Sequence, residues 1–122
     1  MSVGEDTLQA IRGVVGAKGW IDLEQDMAPY LVEQRGNYRG RCAAVVRPDS
    51  TGQVAQVVSI CAQAKVPIVP QGGNTGLAGG AVADGGIVLA TGRLNRIRRV
   101  DPLNRTIFVE AGCILADVQA AA

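Results

Sequence analysis

Histidine is absent from the 122 residues. That removes imidazole both as a metal ligand and as an acid–base catalyst. Aromatic residues are scarce at 3%, so a core must come from Val, Ile, Leu and Ala within the 48% apolar content. Such a mixture favours an α/β architecture, in which helices cover parallel strands. No stretch approaches the ~20 apolar residues of a membrane span. The N-terminal MSVGEDTLQAIRGVVG carries acids where a secretory leader carries positive charge, so a cytoplasmic location is expected. Three cysteines, Cys42, Cys61 and Cys113, form no CxxC pair, and the expectation is reduced, small hydrophobic side chains rather than a disulfide, a metal site or a catalytic thiol. The 12 basic and 11 acidic residues leave a net charge of +1. Arg93, Arg96, Arg98 and Arg99 cluster as solvated charge on an exposed strand edge, so nucleic acid is not an expected partner.

What is present reads as alternating helices and strands. Leu8, Ile11, Val14 and Val15 recur at helical spacing behind Asp6 and Thr7, predicting a helix over 7–15 that one of those two side chains caps. Residues 20–41 hold the only Trp and both Tyr without a clean period, and read as an extended, loop-rich lead-in. The run over 43–46 stops at Arg47-Pro48, as a buried strand does. Ser50 and Gln53 have capping-box spacing ahead of Val54, Val57, Val58 and Cys61, predicting a helix over 51–64. Strands are expected over 66–69 and 87–90, the first closing a right-handed βαβ unit. Two more, over 97–100 and 106–110, face each other across the turn sequence Asp101-Pro102-Leu103-Asn104 as a hairpin. From Ile114 the chain reads as a helix with no stop signal before Ala122, which points to a piece of a longer protein.

The segment PQGGNTGLAGGAV, residues 70–82, carries five glycines in thirteen residues. It leaves the C-terminal end of a strand, where parallel sheets collect ligands. Gly72, Gly73, Gly76, Gly79 and Gly80 can adopt positive φ and let a bulky group reach the backbone. Consecutive N–H groups in such a loop form an anion nest, to which Asn74 and Thr75 can add side-chain donors. No Lys-Ser or Lys-Thr follows the glycines, no GxGxxG occurs in them, and no helical period comes next, so neither a Walker-type site nor a Rossmann-type helix N-terminus is expected. A phosphate or pyrophosphate held by loop backbone is the reading that remains.

The segments VPIVPQGGNTGLAGGAV, RLNRI and VDPLNRTIFVEAGCILADVQ, together with RGNYRG and AAVVRPDSTGQVAQVV, resemble the FAD-linked oxidases and dehydrogenases of the vanillyl-alcohol-oxidase type. Within that group they are most similar to the D-2-hydroxy-acid dehydrogenases, including those for D-2-hydroxyglutarate and D-lactate. The resemblance implies an α/β (α+β) fold class: the first α/β subdomain of a PCMH-type FAD-binding domain and the start of the second. It divides the chain into a lead-in over 1–41 and the truncated FAD-binding part over 42–122. It implies FAD as cofactor, with Pro70, Gln71, Gly72, Gly73, Asn74, Thr75, Gly76 and Leu77 lining the pyrophosphate, mainly through backbone N–H. Gly80 and Ala81 would follow the cofactor towards the flavin, with Pro48 and Asn95 as flanking contacts. The longer protein would oxidise a D-2-hydroxy acid by hydride transfer to FAD and hand electrons to an unidentified acceptor; this chain would supply the cofactor clamp and no catalytic or metal-binding residue. Two alternatives stay open: a non-catalytic phosphate- or nucleotide-binding module, and another enzyme of the same superfamily, such as a sugar or aldonolactone oxidase.

Overall fold

The computed structural model describes residues 3–33, 36, 39–75 and 80–122. Helix α1 spans Glu5–Val15, and a short 3-10 turn over Ala17–Gly19 leads into strand β1, Trp20–Ile21. Helix α2 (Glu24–Leu31), strand β2 (Ala44–Val46), helix α3 (Thr51–Ala64) and strand β3 (Ile68–Gln71) follow. Strand β4 is Ile87–Ala90, β5 is Ile97–Asp101, β6 is Thr106–Val109, and helix α4 is Leu115–Ala121.

Strands β2, β4 and β3 are parallel neighbours, with β1 antiparallel on the outer edge of β2, giving the order β1-β2-β4-β3. The expected parallel pairing across α3 therefore holds in direction, but β4 lies between β2 and β3. Burial explains the order. Every residue of β4 is buried, whereas Pro70 of β3 is exposed. A proline cannot donate to a ladder and belongs at an edge.

The two faces of the sheet are covered by different helices. Ala44, Val46, Ile87 and Leu89 pack with Ile11 and Val15 of α1 and Val57 and Cys61 of α3. Val45, Val88 and Ala90 point the other way, onto Met27, Tyr30 and Leu31 of α2. Alternation along each strand thus buries both sets, which is why β2 and β4 read as unbroken apolar runs. Each fully buried Val or Ile contributes roughly 1.5–3 kcal/mol of transfer free energy.

Helix α3 has the expected bounds. Ser50 Oγ accepts from the Gln53 N–H at 3.2 Å, and the Gln53 side chain accepts from the Asp49 N–H at 2.9 Å. The return bond thus reaches one residue further back than a capping box requires.

Two expectations fail. Neither Asp6 nor Thr7 caps α1: the N-cap is Gly4, with no side-chain bond, and Glu5 and Asp6 lie inside the first turn, where they complement the helix dipole. The lead-in over 20–41 is not irregular either, because it contains β1 and α2. Pro29 inside α2 conceals the helical spacing of Met27, Tyr30 and Leu31, since proline ordinarily marks a helix end.

Strands β5 and β6 form the expected antiparallel hairpin, with an irregularity in register between Ile97 and Arg99. In its turn, the Asp101 carboxylate accepts from the Asn104 N–H at 3.2 Å and from Asn104 Nδ2 at 2.8 Å. The hairpin joins the sheet through Gly112, whose N–H donates to Leu94 O at 2.7 Å. A Cβ at Gly112 would run into the Thr91 carbonyl oxygen, so the glycine of VEAG is required by this junction.

Candidate cofactor-binding site

The glycine segment begins where β3 ends, beside the C-terminal end of β4. Gln71 is the last residue of β3 and only 3% exposed. Its carbonyl accepts from the Thr91 N–H at 3.0 Å and lies 3.3 Å from the Thr91 hydroxyl. The same hydroxyl is 3.4 Å from Ala111 O, so Thr91 ties the start of the loop to the hairpin junction.

Two kinds of glycine can be told apart among the described residues. At Gly86, with φ +73°, a Cβ would meet the Pro67 carbonyl, as one at Gly112 would meet Thr91. Those glycines serve the fold. At Gly72 the nearest atom to a Cβ is Thr91 Oγ1 at 4.0 Å, at Gly73 it is Thr75 Cγ2 at 3.8 Å, and at Gly80 nothing lies within 4 Å. Neither Gly72 nor Gly73 has positive φ. Among the described residues, neither backbone conformation nor packing requires glycine at Gly72 or Gly73, and none of those residues fills the space beside Gly72, Gly73 or Gly80.

Donors are present as well as space. Among the described residues, no backbone hydrogen bond is donated by Gly72, Gly73, Asn74 or Thr75. Asn74 has φ +56°. A left-handed residue within such a run is one element of an anion nest.

The expected site residues do not all face that nest. Asn74 Nδ2 donates to Val32 O at 2.8 Å and to Pro29 O at 3.3 Å. Gln71 Nε2 donates to Tyr30 O at 2.8 Å and to Ala81 O at 3.2 Å. The side-chain donor expected of Asn74 is therefore directed into the protein. Gly72, Gly73, Thr75 and Gly80 are exposed, as is Pro70, and Ala81 is half-buried. Gly76 and Leu77 lie outside the described residues. Pro48 is fully buried and has no surface to offer a ligand, whereas Asn95 is exposed. Thr91 and the end of α2 are the parts that sequence reasoning missed. The hydrogen bonds that join them to the loop cross 20 to 45 residues of chain, and no local pattern records them.

Of the three cysteines only Cys61 is buried, while Cys42 and Cys113 are half-buried. All three are free, and burial pushes the Cys61 and Cys42 thiols up from their ordinary value. Among the described residues, no cluster of three or more potential metal ligands occurs, and no helix is long and apolar enough to cross a membrane.

Residues 42–122 match the family of FAD binding domains. The chain belongs to that family. The match covers the α3 unit, the glycine loop and the hairpin, and it makes FAD the cofactor. Along the sequence, this FAD-binding domain is similar to the mitochondrial D-2-hydroxyglutarate dehydrogenase of Bos taurus, at 33% identity over 115 residues, 93% of the chain and 21% of the relative. It is similar also to the glycolate oxidase subunit of Bacillus subtilis, at 30% over 117 residues, 95% of the chain and 25% of the relative. The chain thus spans about a fifth to a quarter of the length of these curated relatives. In three dimensions it superposes on p-cresol methylhydroxylase with a TM-score of 0.79 at 24% identity, over 95% of the chain and 24% of that enzyme. An alkyldihydroxyacetonephosphate synthase gives 0.84 at 15% identity, over 98% and 25%. These likenesses establish the fold as that of vanillyl-alcohol-oxidase-type flavoproteins.

The residues present fit the cofactor. A pyrophosphate needs close backbone approach and several N–H donors; among the described residues nothing fills the space beside Gly72, Gly73 and Gly80, and no backbone acceptor takes the N–H groups over 72–75.

Proposed function

We propose that this FAD-binding domain is the pyrophosphate clamp of a longer flavin-dependent oxidoreductase acting on a D-2-hydroxy acid. The observation that carries the clamp is the open space beside Gly72, Gly73 and Gly80. Backbone N–H groups of Gly72, Gly73, Asn74 and Thr75 would hold the pyrophosphate, with Pro70 forming one wall and Gly80 and Ala81 continuing the surface. Bound FAD supplies the two-electron acceptor for oxidation of the hydroxyl-bearing carbon. This chain's residues orient that cofactor by loop backbone, and none of them is assigned to the substrate.

Similarity to the hydroxyglutarate dehydrogenase and to the glycolate oxidase subunit supports the substrate class, since both names denote a 2-hydroxy acid as the compound oxidised. The test is to purify the longer protein, record its flavin absorbance, and assay D-lactate, D-2-hydroxyglutarate and glycolate with an artificial electron acceptor. A yellow protein reduced by one of the three is the expected result. A protein without flavin overturns the clamp, and a flavoprotein indifferent to all three overturns the substrate class.

A further inference from the structure

Helix α2 ends without any of the usual stops. Its last turn carries no basic residue, its C-cap is Val32 in extended conformation, and no glycine follows to receive the terminal carbonyls. The last carbonyls of a helix have no partner within it. Here three of them, or their immediate successors, are met by the glycine loop: Pro29 and Val32 by Asn74, and Tyr30 by Gln71. Gln71 Nε2 also holds Ala81 O, so one buried amide fixes both stems of the loop, ten residues apart, at the same end of α2.

We propose that the last turn of α2 is a seat that sets the anion loop in its binding conformation before FAD arrives, with Asn74 and Gln71 as positioning residues acting through that seat. The inference rests on the clamp reading above. Its physical basis is the entropy of glycine: Gly72 and Gly73 lie between the anchored Gln71 and Asn74, and ordering them at folding removes the loss of their freedom from the binding step. Asn74 also holds its left-handed φ with an amide anchored at both carbonyls.

The experiment uses the longer protein stripped of FAD, comparing wild type with Asn74→Gly and Gln71→Met. Glycine accepts φ +56° without strain, so the first variant removes the side-chain anchor and leaves the backbone conformation allowed. Thermolysin cleavage between residues 71 and 82, expressed relative to cleavage elsewhere in the chain, reads loop order; stopped-flow FAD binding reads affinity and association rate. Both variants should be cut at least about tenfold faster in the loop and bind FAD about tenfold more weakly, with most of the loss in the association rate. Weaker binding with unchanged loop cleavage overturns the seat and makes Asn74 a direct contact. Faster cleavage with unchanged binding overturns it too, because loop order would then not govern the site. Wild-type protein that does not take up FAD overturns the clamp reading itself. If Gln71→Met does not fold, Asn74→Gly alone decides.

Discussion

The Arg98 guanidinium donates to the Glu110 carboxylate at 2.7 Å, across the foot of the β5–β6 hairpin. Arg98 also lies over the Phe108 ring, 5.9 Å from its centroid, and reaches Thr51 Oγ1 at 3.4 Å in the first turn of α3. Glu110 accepts in addition from the Arg96 N–H at 3.0 Å. An arginine of the expected solvated edge therefore also links the hairpin to the start of helix α3. Arg93, between β4 and β5, donates to Arg47 O just after β2 at 3.1 Å.

That pair gives the hairpin an acid sensitivity. Hydrogen bonding from Arg98, and then from the Arg96 backbone, holds the Glu110 carboxyl below its ordinary value. A carboxylate depressed in the folded state contributes stability above its unfolded pKa and loses it as pH falls through the folded one. Melting temperature should therefore fall as pH drops below the ordinary glutamate value of about 4.3 in wild type, and fall less steeply in Glu110→Gln. Parallel slopes for the two proteins would show that the pair does not contribute.

The two kinds of glycine should respond oppositely. Gly73→Val meets open space and normal φ, so the melting temperature should change little, within about 0.5 kcal/mol of stability, while FAD retention by the longer protein is lost. Gly112→Ala drives a Cβ into the Thr91 carbonyl and should destabilise the fold by more than about 2 kcal/mol. Flavin absorbance per polypeptide and thermal denaturation separate the outcomes.

Thr91→Val keeps the shape and removes the hydroxyl that lies against Gln71 O and Ala111 O. A loss of about 1 kcal/mol is expected in urea denaturation, as for a neutral hydrogen bond. An unchanged midpoint would exclude Thr91 as the tie between loop and hairpin.

Ser50→Ala removes the acceptor of the Gln53 N–H at the start of α3. The expected cost is about 1 kcal/mol, with Ser50→Gly milder by several tenths. Equal effects of the two would remove the cap as the cause.

Cys61 should resist a thiol reagent such as iodoacetamide in the native protein and react once it is unfolded, because burial holds the thiol protonated and covered. Mass spectrometry of the labelled peptides checks this.

Local pattern was enough for much of the architecture. Val54, Val57 and Cys61 at helical spacing behind Ser50 define α3, and the apolar runs of β2 and β4 define the strands, because period and capping are properties of neighbouring residues. The same holds for the hairpin around Asp101 and Asn104, whose turn residues are neighbours in the string. Helix α2 was not visible, because Pro29 carries a strong local signal that packing of Met27 and Tyr30 onto the sheet overrides.

Tertiary structure alone decided which glycines serve the fold and which leave room. Gly112 and Gly73 are the same letter, and only the position of the Thr91 carbonyl distinguishes them. It also turned Asn74 from a ligand donor into an anchor on α2, because the carbonyls that capture its amide lie 42 and 45 residues away and are brought within reach only when both elements pack on the same sheet.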